Sequence, residues 1–517
     1  MTATIARPAP PPAALPAPRD APAVAQLLGR PMPTDRLRAG IVTLVLTLVG
    51  GVVRFWGLGW PTDQGTPIFD EKHYVPQTWQ VLRNGGYEDN PGYELVVHPP
   101  LSKQLMAVGQ WIFGYDPVGW RVASALAGTL CILLIIRIAR RLTRSTLLGG
   151  LAGVLLIADG VSHVSSRVGM IDIFPALFVL AAFAALLVDR DDVRSRLAVV
   201  VAEGRIGASV YGPRLGVRWW RLVAGVCIGL ALAAKWSGLY YILFFGALLI
   251  GFDAAARRAA GVARPFVGTL VRDVAPAVWA FVAVPVLCYL ASWLPWIASE
   301  TGTDRHAVGQ QLPVGGILPD WLRGLAYYST KVLEFHATLD TPRGNPHPWE
   351  SKPWTWPMGL RPMLYYYESG TGDLGCGGPS CVSAVMLIGT PALWWVSIPA
   401  LGWSIWRVVT TFDWRHAAVL VGYGAGFLPW FTNIDRQMYF FYMTPVAPFL
   451  VLAVVLALGE FLGRREQGLE RRRTGTLVVG VYTGLVVANF AWLWPVLVGT
   501  WITVDRWNAE LWLPSWR

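Results

Sequence analysis

The sequence predicts an all-α integral membrane protein, a bundle of about 11 transmembrane helices with two long extracytoplasmic loops. Three observations predict it. Of the 517 residues, 54% are hydrophobic and only 15% are charged, whereas a soluble domain carries about 25% charged residues. The apolar residues come in blocks of about 20, the length of helix that crosses a bilayer. Arginines gather in alternate connecting segments, the pattern that sets membrane topology. Together these exclude a soluble enzyme, a disulfide-dense secreted module and a mainly disordered chain.

Residues 1–38 are rich in Pro and Ala, as in Pro8-Ala9-Pro10-Pro11-Pro12. Such a segment has little to bury and is expected to be a disordered cytoplasmic tail. A single membrane domain then occupies 39–517. Its helices are expected near 39–58, 118–137, 146–160, 170–188, 221–235, 238–254, 274–298, 384–406, 416–431, 440–462 and 476–498. With the N-terminus inside, the cytoplasmic segments are 1–38, 137–144, 189–221, 253–273, 407–416 and 460–475. They hold 27 of the 43 Lys+Arg and 12 of the 32 Asp+Glu, so the inside carries +15 and the outside −4 of the net +11. This accounts for the basicity without nucleic acid as a partner. An odd number of spans puts the C-terminus outside, in a multi-pass protein of the cell membrane.

The two long outer segments, 59–117 and 299–383, hold most of the candidate chemistry. Asp70 and Glu71 are adjacent carboxylates just after the first span, where crowding and an apolar boundary favour a raised pKa and hence a general base. His73, His98 and Lys103 share that loop, and Pro99-Pro100 stiffens it. Arg121, Arg167, Lys235 and Arg436 sit near outer helix ends, where cations could clamp a lipid-linked phosphate. Arg54 reads better as a side chain snorkelling to headgroups, and Arg167 with Asp172 reads equally well as a structural ion pair. His347, Trp349, Trp354 and Trp356 form a patch stiffened by Pro346, Pro348, Pro353 and Pro357, suited to stacking on a sugar. Cys376 and Cys381 flank Gly377-Gly378-Pro379-Ser380; they are read as a disulfide in an oxidising compartment, with two free thiols as the alternative. No compact spacing supports a metal site, and there is no glycine-rich phosphate loop.

Taken in order, several motifs resemble the protein O-mannosyltransferase family of the GT-C superfamily of integral-membrane glycosyltransferases, in its actinobacterial form. They are Asp70-Glu71-Lys72-His73-Tyr74, His98-Pro99-Pro100-Leu101-Ser102-Lys103, Arg121, Gly169-Met170-Ile171-Asp172, Lys235-Trp236-Ser237-Gly238, and Leu428-Pro429-Trp430 through Arg436-Gln437-Met438-Tyr439. The resemblance spans nearly the whole chain after the tail. It implies a GT-C fold, a polyprenyl phosphate mannose donor, and Ser/Thr acceptors on exported proteins, with the export machinery as a further partner. It implies Asp70 as catalytic base, Glu71 positioning the acceptor, and Arg121 and Lys235 near the donor phosphate. Arg436 joins these as a phosphate contact. His73, His98, Lys103, His347, Trp349 and Trp354 are candidates for sugar or acceptor binding. The second outer loop is too short for the β-trefoil insert of eukaryotic members. A single inverting displacement requires no metal or other cofactor. The rival readings are a transferase acting on a lipid or polysaccharide, and a non-enzymatic lipid flippase.

Overall fold

The computed structural model describes residues 21–89, 97–306, 317–341, 346–463 and 468–517. Residues 1–20 of the expected tail lie outside these. The rest of that tail departs from expectation, because Ala21–Leu28 is helical and the first long helix begins at Arg36. Leu27 is buried against Val193, Leu197 and Val201, so this stretch has a surface to cover.

Each of the eleven apolar segments overlaps a helix, though not with the expected bounds, and local chemistry sets the ends. The Asp116 carboxylate accepts the Val118 N–H at 2.8 Å, and Pro117 occupies the first turn, where its missing N–H costs nothing. That helix, Pro117–Thr143, stops at Arg144 with φ of 54°. Ser145 then caps Thr146–Ile157. Among the described residues six helices are long and apolar enough to cross a membrane: Arg36–Phe55, Pro117–Thr143, Ile173–Ala202, Gly238–Ala259, Val274–Ser292 and Leu469–Val498. Thr146–Ile157, Trp219–Ala234 and Ala447–Leu462 are shorter apolar helices. The boundary expected at 188 is overrun, since Ile173–Ala202 continues through a charged stretch supported by the Asp192–Arg196 pair at 2.7 Å.

The loops depart most from expectation. The first contains the helices Glu71–Arg83 and Leu101–Phe113, and the second contains Asp320–Thr338. An antiparallel sheet joins β1 (Met363–Thr371), β2 (Ser380–Leu387) and β3 (Ile502–Thr503) in that order. The helix expected from 384 therefore starts at Pro391 instead. Val382-Ser383-Ala384-Val385-Met386-Leu387 is buried on both faces, and a short apolar run of that kind has no period to separate strand from helix. Between β1 and β2 the register shifts by one residue at Tyr365, a bulge that bends the strand and re-aims its side chain.

The chain divides into two compact units. Of the described residues, one comprises 21–31, 190–217 and 250–275, with an apolar core and a buried Arg257–Asp273 pair at 2.7 Å. The other comprises the remainder and carries every candidate site residue.

Candidate active site

Asp70 and Glu71 are neighbours with opposite surroundings. Phe69, just before them, has φ of 47°, a conformation a bulky residue keeps only when its neighbours hold it there. Its ring stacks on Tyr365 at 4.5 Å. Beyond this turn Asp70 stands at the N-cap of Glu71–Arg83, and Glu71 points into the interior, wholly buried. Glu71 Oε1 accepts from Arg121 Nε at 2.7 Å and from the Gly169 N–H at 2.6 Å. Its Oε2 accepts from Arg121 Nη2 at 2.8 Å and from the Ile68 N–H at 3.0 Å. A Cβ at Gly169 would lie 3.2 Å from Glu71 Oε1, so glycine is what permits this approach.

Two expectations are corrected here. Arg121 is fully buried and donates to Glu71, Leu58 O and Pro61 O, which leaves it no surface to present to a phosphate. Glu71, saturated by four donors, can position neither an acceptor nor a proton. The pair is a brace that fixes the turn bearing Asp70. Among the described residues no ion pair holds Asp70. Burial pushes its carboxyl up to about 6; His73 opposes the rise, Asp172 reinforces it and Lys235 opposes it.

The remaining cations form a different group. Lys235, at the end of Trp219–Ala234, donates to Asp172 Oδ1 at 2.7 Å and lies over the rings of Phe441 and Tyr442 at 5.4 and 5.3 Å. Arg436 donates to Tyr442 Oη and to His336 Nδ1, both at 3.1 Å. Its guanidinium lies 5.7 Å from the rings of both Trp430 and Tyr442, which stack on each other at 4.0 Å. A guanidinium only donates, so His336 accepts at Nδ1 and is neutral. Burial, with Arg436 and Lys235 nearby, brings the His336 pKa down to about 4. Arg167 donates to three backbone carbonyls, those of Arg54, Trp56 and Gly57, so Asp172 pairs with Lys235 rather than with Arg167. Arg54 does not snorkel; it is buried and bonded to Ser162, Ser166 and two carbonyls.

The other candidates separate. His73 lies in the first turn of the helix that Asp70 precedes, its backbone N–H donating to Asp70 O at 3.0 Å. His98 lies 6.0 Å from the Tyr74 ring and 6.1 Å from His336, held well below the usual histidine range by burial and then by Lys235. Lys103 is corrected: it is buried in an ion pair with Glu88, out of reach of a sugar. His347 is exposed and meets Tyr439 edge-on at 5.3 Å. No hydrogen bond or ring contact ties Trp349 or Trp354 to Asp70 among the described residues. Trp349 lies under Arg361 at 5.1 Å, and Trp354 is 58% exposed. The buried indole of that patch is Trp356, which donates to Ser351 Oγ at 2.8 Å. Cys376 and Cys381 form a disulfide across the β1–β2 turn, their Cα atoms 5.8 Å apart. Sequence reasoning missed His336, Tyr365 and Tyr442. The last two were legible at most as aromatics near a quoted motif, and His336 is one of a single helix's polar residues.

Two family profiles match. Residues 44–291 match the dolichyl-phosphate-mannose-protein mannosyltransferase profile, and residues 322–516 match the C-terminal four-transmembrane region of protein O-mannosyltransferase. A polyprenol-phosphate-mannose–protein mannosyltransferase of Mycobacterium tuberculosis is 57% identical over 94% of this chain and 93% of its own. One of Corynebacterium glutamicum is 44% identical over 92% of each. The chain belongs to the protein O-mannosyltransferase family. The fold of this mannosyltransferase is that of a Saccharomyces cerevisiae protein O-mannosyltransferase complex bound to the sugar donor, with a TM-score of 0.71 at 15% identity over 96% of this chain and 94% of that one. The Archaeoglobus fulgidus oligosaccharyltransferase shares the fold more distantly, at a TM-score of 0.53 over 92% of this chain and 58% of that one.

In this mannosyltransferase a carboxyl with a raised pKa feels the charge of Lys235, which shares the ring of Tyr442 with Arg436. Among the described residues no group of three or more His, Cys, Asp or Glu side chains is placed to hold a metal ion.

Proposed function

We propose that this protein transfers mannose from polyprenyl phosphate mannose to Ser or Thr hydroxyls of exported proteins, with inversion at the anomeric carbon. The observation that carries this reading is Asp70, whose carboxyl is raised to about 6 and which feels the charge of Lys235, a cation that shares the Tyr442 ring with Arg436. At neutral pH such a carboxyl is roughly nine-tenths ionised yet basic enough to take a proton. The acceptor oxygen forms its bond to the anomeric carbon while the bond from that carbon to the phosphate oxygen breaks. The hydroxyl proton passes to Asp70, and the bonding pair leaves on the lipid phosphate. Lys235 and Arg436 stabilise the charge that grows there, an electrostatic contribution aimed at the leaving group.

The polyprenyl chain stays in the bilayer, so its phosphate reaches the protein only at the membrane boundary. The excess of arginine in alternate segments supports an N-terminus in the cytoplasm and a site on the opposite face. The test is a defined assay with purified protein, polyprenyl phosphate mannose and a Ser/Thr-rich peptide. Mannose on the peptide with inverted configuration is expected, and mannose appearing only in glycolipid would overturn the reading.

A further inference from the structure

Asp172 follows the Gly169-Met170-Ile171 turn and precedes the helix Ile173–Ala202. It is 4% exposed. Oδ1 takes the Lys235 ammonium at 2.7 Å, but Oδ2 is buried without a hydrogen-bond partner. A buried carboxylate oxygen left without a donor is costly, and holding Lys235 occupies only the other oxygen. The groups around it are tyrosines and a lysine. The hydroxyls of Tyr74 and Tyr365 both feel the charges of Asp70 and Asp172. Tyr365 is the bulge residue of β1, stacked on the left-handed Phe69 that precedes Asp70. Lys235 links Asp172 to the ring of Tyr442, which Arg436 shares. Aromatic rings beside a few fixed polar groups suit a hexose, whose faces are apolar and whose rim is hydroxyl.

We propose that Asp172 reads the sugar: its Oδ2 accepts a hydrogen bond from a hydroxyl of the donor's hexose, while its Oδ1 keeps Lys235 in place beside the phosphate. Asp172 is then a specificity residue distinct from Asp70, which takes the acceptor's proton. A site built to accept from a substrate hydroxyl rejects a donor that lacks it, because the oxygen is again left unpaired. This inference rests on the donor assigned under the proposed function, and its test is a binding measurement without acceptor. Failure to mannosylate a peptide would refute that function and leave this result readable.

Asp172→Asn keeps the side chain's size. Lys235 can only donate, so it selects the amide oxygen and turns the NH2 to where Oδ2 stood, replacing an acceptor by a donor. The quantity to measure is how much more tightly the full-length protein binds polyprenyl phosphate mannose than bare polyprenyl phosphate. This ratio should fall by about tenfold or more in D172N, because any change at Lys235 acts on both ligands alike and cancels in it. An unchanged ratio, or no sugar-dependent gain in the native protein, would each overturn the proposal. A second measurement needs no variant. Four donors, each lacking one mannose hydroxyl, are titrated against the native protein, and at least one should lose about tenfold in affinity. Four affinities equal to that of the parent donor would overturn it as well.

Discussion

Two regions of this molecule use the same residue types for opposite ends. On one side of Asp70, Arg121 and Glu71 form a fully buried bidentate pair whose remaining hydrogen bonds go to backbone. On the other, Lys235 and Arg436 are only partly neutralised and lean on the aromatic rings of Phe441, Tyr442 and Trp430. A saturated pair is rigid and has nothing left to offer a ligand. A cation resting on an aromatic face keeps N–H groups available for an anion. Asp70 adjoins Glu71 of the first and feels the charge of Lys235 in the second.

The comparison can be broken by substitution. Asp70→Asn should lower kcat by about 10²–10⁴, with donor KM and thermal stability near native, because general-base assistance is worth that much. A stopped assay together with a melting curve checks both halves. For the same reason kcat/KM of the native protein should decline as pH falls through about 6, approaching tenfold per pH unit below it, as Asp70 takes up its proton. An Asp70 variant with residual activity should lose that limb.

Arg121→Ala should act on stability instead. Leaving Glu71 buried and unpaired costs about 3–5 kcal/mol, read as a lower Tm and less folded protein in membranes. Glu71→Gln should cost a similar amount, because it leaves Arg121 a buried charge without a counter-ion and turns an NH2 toward two donors. If Arg121→Ala instead left Tm intact and raised donor KM, the division between brace and clamp would fail. Arg436→Ala should do just that, raising donor KM by about 10- to 100-fold, the worth of a charge-assisted hydrogen bond, at near-native Tm. Cys376→Ser with Cys381→Ser should have the smallest effect. Opening so short a loop costs about 2 kcal/mol at most, with kcat unchanged because the turn is remote from Asp70 in the sheet.

Much of the site was legible before the structure. Asp70, Lys235 and Arg436 stand out because polar residues at the rims of apolar blocks are few, and each has a physical reason to be noticed. Arg121 and Lys103 stand out for the same reason and yet prove structural. A sequence shows that a cation is present but not whether a carboxylate is already bonded to it. Glu88, the partner of Lys103, lies 15 residues away in the chain and carries no mark of that pairing. His336 is hidden differently. It sits on a helix inside a segment expected to be a loop, and only the approach of Arg436, 100 residues on, gives it a role.

The chain alone determined the membrane class, the positions of the apolar helices and the neighbourhood of the chemistry, because these follow from local composition and from spacing along one segment. Tertiary structure decided which of two adjacent carboxylates is open, which arginines are consumed, and that β1 and β2 form a sheet where a helix end was expected. Those outcomes depend on desolvation and on partners brought from distant segments, and a residue's own neighbours in the chain carry no record of either.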